Sequence, residues 1–235
     1  MALEVRGLKA KRGNFEVYVD RLSVNSVVVI VGRNGSGKTT LLDAVAGFIK
    51  ASGAVEACGR DVSALPPERR GLAYIQSVPV DPPARVDKFL RRVAKMHGSE
   101  RKIGEVVDAL GIGHLLGRRD GLSTGQKQLV NLAAALLAEP CAFLMDEPTS
   151  HLDWANKRAF NDLVKRLNKP VLYVTHDPPR GPLHRRLDLL DGIRANKAVH
   201  SRAAGRGRGL QGGRGVARMN EPAVSAPTPR AARGV

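Results

Sequence analysis

Val27-Val28-Val29-Ile30-Val31-Gly32-Arg33-Asn34-Gly35-Ser36-Gly37-Lys38-Thr39 decides the fold. Its first five residues are an unbroken β-branched run, the pattern of a strand buried on both faces. After Thr39, the side chains of Leu41, Leu42, Val45 and Ile49 recur at helical spacing. The GxxxxGK[ST] segment therefore sits between a strand and a helix, the context that gives such a match its meaning. Gly32, Gly35 and Gly37 let the backbone turn several N–H groups toward one anion. The helix start adds the positive end of its dipole. Lys38 is placed to reach the β- and γ-phosphates of a nucleotide as a point charge, and Thr39 to offer its hydroxyl to Mg²⁺.

Three more apolar runs complete the reading. Ala142-Phe143-Leu144-Met145 ends in Asp146-Glu147. Acids at the carboxyl end of a buried strand face the crevice where open α/β sheets bind ligands. Asp146 suits Mg²⁺, which keeps most of its waters and takes few protein carboxylates. Glu147, one residue on, is the candidate general base. Val171-Leu172-Tyr173-Val174 runs into Thr175-His176-Asp177, so His176 shares that sheet edge and can stabilise charge building on the γ-phosphoryl group. Gln76 follows the short strand Leu72-Ala73-Tyr74-Ile75, and its amide can ligate the metal or orient water.

Leu122-Ser123-Thr124-Gly125-Gln126 lies 84 positions after Lys38 and opens a helix running to about Leu137. With it, the set resembles the nucleotide-binding domain of the ATP-binding-cassette (ABC) superfamily across roughly residues 3–199. Gly32–Thr39 matches the Walker A motif, Phe143–Asp146 with Glu147 matches Walker B and its catalytic glutamate, and Leu122–Gln126 looks like the signature. Gln76 looks like the Q-loop, Ser150-His151-Leu152-Asp153 like the D-loop and His176 like the H-loop.

The resemblance implies an α/β fold: a P-loop NTPase three-layer α/β/α core with an antiparallel β subdomain and a small helical subdomain. It implies that Gly32, Arg33, Asn34, Gly35, Ser36, Gly37, Lys38, Thr39 and Thr40 enclose the ATP phosphates. Thr39, Gln76 and Asp146 would serve Mg²⁺, and Glu147, His176, Lys38 and Gln76 would serve hydrolysis. In the family two domains pair head to tail, so the signature residues Ser123, Thr124, Gly125 and Gln126 of one copy clamp the ATP of the other. Asp153 would carry communication across that dimer. The puzzle of a second anion-binding helix end in a chain that already has a phosphate loop is answered in this way.

The sequence also departs from the family pattern. Thr124 stands where glycine is usual, and Leu129 where an arginine commonly follows the signature. The pair matching the adenine-stacking aromatic and its glycine is Arg12-Gly13. Phe15, Tyr18 or the planar guanidinium of Arg12 remain candidates for the base, although alternation in Phe15-Glu16-Val17-Tyr18-Val19 also makes Phe15 a core strand residue.

At 235 residues, the chain suits one compact domain, residues 1–200, with a helical insertion at about 78–138 and a tail at 201–235. Its formal net charge is +16. From Arg180 onward there are 12 basic and 3 acidic residues, so much of the excess is terminal. The tail is rich in Gly, Arg, Ala and Pro and lacks the apolar periodicity needed to order itself. It reads as a solvated extension, with anionic lipid or RNA as other contacts. Nucleic acid is not an expected partner of the catalytic part. No run of about 18 apolar residues spans a membrane, and Met1–Arg6 reads as a strand rather than a signal peptide. A cytoplasmic protein, peripheral on the inner face of the membrane, is expected. Cys58 and Cys141 make neither a metal motif nor a disulfide framework, and Cys141 reads as a core thiol.

Leu3–Leu8, Phe15–Val19 and Ala54–Ala57 read as an antiparallel patch, Val86–His97 and Ile103–Leu110 as helices, and Leu187–Leu190 with Ile193 onward as a closing hairpin. By resemblance, the function is that of an ATP-binding and hydrolysing subunit, driving a separate polytopic permease, with import favoured and a solute-binding protein as a further partner. The alternative is an ABC ATPase that remodels a cytosolic protein or ribonucleoprotein assembly. Leu65-Pro66-Pro67-Glu68-Arg69-Arg70-Gly71 resembles a stretch common in importers of oxyanions and other small solutes. Glu147–Asp153 resembles a form frequent in importers of iron complexes and cobalamin, so the two hints differ.

Overall fold

A computed structural model of the chain describes residues 2–177, 186–188 and 193–197. In chain order its elements are β1 (Leu3–Arg12), β2 (Phe15–Val24), β3 (Val27–Val31), α1 (Lys38–Ala46), β4 (Ala51–Ala57), β5 (Arg60–Asp61), β6 (Leu72–Ile75) and α2 (Val86–His97). There follow α3 (Ile103–Ala109), α4 (Thr124–Leu137), β7 (Ala142–Asp146), α5 (Trp154–Arg166), β8 (Val171–Thr175), β9 (Arg186–Asp188) and β10 (Ile193–Lys197).

Two sheets result. One has the order β10-β2-β1-β4-β5, the other β6-β7-β8-β3-β9. In the second sheet β3, β6, β7, β8 and β9 are all parallel to their neighbours. Both faces of a parallel sheet are normally covered, and period-two alternation sorts its side chains between them. Val28, Ile30, Leu144, Leu172 and Val174 pack with α1 and the antiparallel sheet. Val27, Val29, Phe143, Met145 and Tyr173 pack with Leu132 of α4 and with Phe160 and Val164 of α5. This is the expected α/β/α layering with its antiparallel companion. The stretch read as a helical subdomain holds α2, α3 and α4, whose inward residues form a core of their own around Leu90, Ala94, Val107 and Val130.

The four strands read from apolar runs, β3, β6, β7 and β8, have the expected bounds. Three differences stand out. First, β9 and β10 do not form a hairpin. β9 pairs with β3 in the parallel sheet and β10 with β2 in the antiparallel sheet. The Asp191-Gly192 turn signal is local, whereas pairing is settled by which open edge each strand meets. Second, α5 went unread. Its start is capped by Asp153, whose side chain accepts from Asn156 N. Third, Cys58 and Cys141 are joined in a disulfide, with Cα atoms 5.6 Å apart and 83 residues between them in sequence. It ties the β4–β5 turn to the foot of β7. The tail at 201–235 lies outside the described residues.

One buried cation fixes α1. Arg70 is 7% exposed. Its guanidinium donates to the carbonyls of Val45 at 2.7 Å, Ser63 at 2.8 Å and Leu65 at 2.9 Å. One of the orphan carbonyls that end α1, that of Val45, is thereby satisfied, and the same guanidinium ties it to the Ser63–Leu65 loop. The helix that begins at Lys38 is anchored at its far end.

Candidate nucleotide site

The carboxyl ends of β3, β7 and β8 reach one edge, and the register places the chemistry there. Asp146 pairs with Val174, and Val31 with Thr175. Residues one or two steps beyond those pairs, Gly32, Glu147 and His176, must therefore converge. Gly32 N donates to Thr175 O at 3.1 Å and Glu147 N to Val174 O at 3.0 Å, which locks the three strand ends together.

A cleft of about 440 Å³ opens at this edge. Asn34, Gly35, Gly37, Lys38, Thr39 and Thr40 line one side, and Asp146 and Glu147 its floor. Gly37 caps α1 with φ of +96°, and a Cβ there would lie 2.6 Å from the Phe15 ring. Only glycine satisfies both the backbone and that contact. The consequence is a β2 aromatic packed directly against the phosphate loop.

Lys38 is 6% exposed. Its Nζ donates to Gly32 O at 2.7 Å and Arg33 O at 3.1 Å, and lies 3.7 Å from Glu147 Oε1. Thr39 Oγ1 donates to Asp146 Oδ2 at 2.7 Å. Burial raises the Asp146 carboxyl above its usual range, against the Thr39 hydrogen bond that lowers it. A buried carboxylate of this kind gains from a cation beside it.

Glu147 is held more tightly still. Its φ is +45°, an uncommon conformation for a side-chain-bearing residue. Oε1 accepts from His176 N at 2.8 Å and lies 2.8 Å from His176 Nδ1, while Oε2 accepts from Thr175 Oγ1 at 2.8 Å. Backbone strain retained at such a crossing is the kind of feature that marks a working site.

A magnesium nucleotide fits these residues. Ser36 Oγ is buried without a hydrogen-bond partner. The opening turn of α1 has no side-chain cap, so its amides are free of the usual competitor. Thr39 and Asp146 supply the small oxygen set that Mg²⁺ takes from a protein.

Other expected residues fall elsewhere. Gln76 is exposed and lines a neighbouring groove with Val78 and Val80, while Ser77 lines the cleft in its place. Ser123, Thr124, Gly125 and Gln126 do not line this cleft. Ser123 Oγ accepts from Gln126 N at 3.3 Å and Gln126 Oε1 accepts from Ser123 N at 3.0 Å, a reciprocal capping box at the start of α4. Gly125 lies against His151 and Leu152: a Cβ there would meet His151 O at 3.2 Å. The Asp153 carboxylate is held by its capping bonds to Asn156. Among the base-facing candidates, Arg12 and Phe15 line the cleft. Tyr18 instead donates to Asp20 Oδ1 at 3.3 Å. Arg12 is paired with Asp43 at 2.9 Å, and Asp43 also accepts from Tyr74 Oη at 3.0 Å. Sequence reasoning missed this chain of contacts and missed Thr175. The signal for Thr175 was its place immediately before His176, at the end of a strand paired with the one entering the phosphate loop.

The sequence profile of the ABC transporter family matches residues 20–150. The chain is 36% identical over 188 residues to the molybdate/tungstate import ATP-binding protein of Archaeoglobus fulgidus, covering 75% of this chain and 78% of that one. It is 36% identical over 182 residues to the protein of the same description from Methanocaldococcus jannaschii (73% of this chain, 59% of that one). It is 34% identical to the molybdenum import ATP-binding protein of Brucella abortus (72% and 52%). The chain thus spans between about half and four-fifths of the length of these relatives. Among solved structures, the ATP-binding subunit of an ABC transporter matches with a TM-score of 0.65 at 26% identity, covering 75% of this chain and 80% of that one. A nucleotide-free ATP-binding cassette matches with a TM-score of 0.63 at 24% identity, over 75% and 82% of the two chains, a likeness of fold. The chain belongs to the ABC transporter family, as an ATP-binding protein of the ATPase type.

Proposed function

We propose that this chain hydrolyses ATP with Mg²⁺ in the cleft at the β3–α1 turn, and that it powers import of a molybdate- or tungstate-like oxyanion through a separate membrane permease. The observation carrying the catalytic part is the convergence of Lys38, Asp146, Glu147 and His176 on one sheet edge. The cargo rests on the names of the relatives and agrees with the Leu65–Gly71 stretch rather than the Glu147–Asp153 one. None of the helices among the described residues is long and apolar enough to cross a membrane.

The chemistry follows from the contacts. Lys38 exchanges two carbonyl acceptors for phosphate oxygens, which are stronger acceptors for an ammonium. The amides opening α1 and the Ser36 hydroxyl take up further phosphate oxygens. Thr39 and Asp146 would hold Mg²⁺, which would neutralise phosphate charge when bound. Glu147 accepts the proton of the attacking water. His176, bonded to Glu147, faces the same edge and stabilises charge on the transferred group. Arg12 or Phe15 contacts the base. Two copies pair head to tail, so the Ser123–Gly125 end of α4 in one meets the triphosphate of the other. ATP then favours the closed pair and hydrolysis the open one. The chain works at the inner membrane face. Disulfides are rare in reducing compartments, intracellular proteins of hyperthermophiles excepted, so the Cys58–Cys141 bridge weighs against this placement in an ordinary cytosol.

The test is co-assembly. Purified with a polytopic permease in proteoliposomes, the chain is expected to hydrolyse ATP several-fold faster when a binding protein loaded with molybdate or tungstate is added. Equal rates with and without oxyanion, or failure to associate with any permease, would contradict the transport reading.

A further inference from the structure

We propose that Thr175 is a positioning residue for hydrolysis: its buried hydroxyl fixes the carboxylate of Glu147, and its carbonyl fixes the start of the phosphate loop. This rests on the reading of Glu147 as general base.

Thr175 is the last residue of β8 and is 2% exposed. A side chain at that place needs only β-branching to serve the strand, and Val would serve as well. The hydroxyl has other work. Oγ1 lies 2.8 Å from Glu147 Oε2 and 3.1 Å from Asp177 O, and it accepts from Asp177 N at 3.1 Å. A hydroxyl has a single proton to give, and the shorter contact to an ionised acceptor is the stronger. The Asp177 amide then orients the oxygen from behind. One face of Thr175 thus holds the turn that carries His176, and the other holds the base.

The two oxygens of Glu147 are not equivalent. Oε1 has His176 N, His176 Nδ1 and, more distantly, Lys38. Oε2 has Thr175 alone among the described contacts. Lys38 is the group that nucleotide phosphates draw away, so the threonine bond on Oε2 and the His176 amide bond on Oε1 are the ones on this carboxylate that phosphate binding does not compete for. The Thr175 carbonyl accepts from Gly32 N at 3.1 Å. A single residue therefore sets the base relative to the loop that holds the phosphates. Misplacement of a reacting group by about 1 Å can cost on the order of 100-fold in rate.

The experiment compares Thr175→Val, which keeps shape and burial, with Thr175→Ser, which keeps the hydroxyl. Thr175→Val is expected to lower kcat by about 10- to 100-fold, leaving KM for ATP within about 3-fold. Thr175→Ser is expected to recover most of the rate. A second readout needs no turnover. The His176 amide donates to Glu147, so its hydrogen exchange, followed by NMR without added nucleotide, should quicken about 10-fold in Thr175→Val and little in Thr175→Ser. If Thr175→Val fails to fold, Thr175→Ala against Thr175→Ser carries the same comparison. Glu147→Gln is run alongside. Turnover surviving in Glu147→Gln would overturn the base assignment itself. Loss of turnover in Glu147→Gln, with native kcat and native His176 exchange in Thr175→Val, would overturn the positioning role alone.

Discussion

Glu147→Gln is expected to lower ATP turnover by about 10²- to 10⁴-fold, the usual contribution of a positioned acid–base group, while ATP still binds. The amide keeps the length and volume of the side chain, so the phosphate loop is undisturbed. Its failure has two causes. An amide oxygen is a poor proton acceptor beside a carboxylate. The site is also built for two acceptors: donors from His176 approach one oxygen and the Thr175 hydroxyl the other. Glutamine offers a single oxygen, so its NH₂ must face a donor or displace one, and some of the fixed geometry is lost as well. Phosphate release measures the first effect. With hydrolysis blocked and ATP bound, the head-to-tail pair should accumulate, which size-exclusion chromatography with MgATP reads directly. A Glu147→Gln protein with native turnover would require another base.

Cys58→Ser is expected to produce the largest change in stability, by a route that leaves the cleft untouched. The bridge closes a sequence separation of 83 residues, and the chain-entropy estimate for a loop of that size is about 4–5 kcal/mol. At about 2–4 °C per kcal/mol for a domain of this size, the melting temperature should fall by roughly 10–15 °C. Cys141→Ser should do the same, and the double variant should add little, because both remove one cross-link. Differential scanning calorimetry with and without reductant supplies the control: reductant should lower the native midpoint and leave the single variants where they are. Unfolding that ignores reductant would mean that the two thiols are not bridged in solution. Cys141 stands at the foot of β7, whose other end carries Asp146 and Glu147, so the cross-link is removed at the end of the strand away from the cleft.

Legibility followed the range of the interactions. Apolar runs state burial on both faces, so Val27–Val31 and Val171–Thr175 announced central parallel strands to the residue. The turn between β3 and α1 was legible because its determinants are local: glycine freedom, one lysine and one hydroxyl within a short stretch. What joins distant segments was not legible. The Cys58–Cys141 bridge, the Arg12–Asp43–Tyr74 contacts and the bonds of Arg70 to the carbonyls of Val45, Ser63 and Leu65 each depend on which surfaces the layers bring together. Gln76 shows the opposite limit. A motif fixes a place in the chain, whereas the groove that Gln76 lines with Val78 and Val80 follows from the fold around it. The closing strands failed as a hairpin for a related reason: a turn signal reports on its own residues, not on the sheet edge each flank will meet.

The account stands on the cleft at Lys38 being where the triphosphate is gripped, and equilibrium binding of MgATP to Lys38→Ala by isothermal titration calorimetry tests this most directly. With its ammonium gone, affinity is expected to fall by about 100-fold or more, as for loss of a charge-assisted contact in a buried site, with the melting temperature little changed. Native affinity in a folded Lys38→Ala protein would place the phosphates elsewhere and contradict the account.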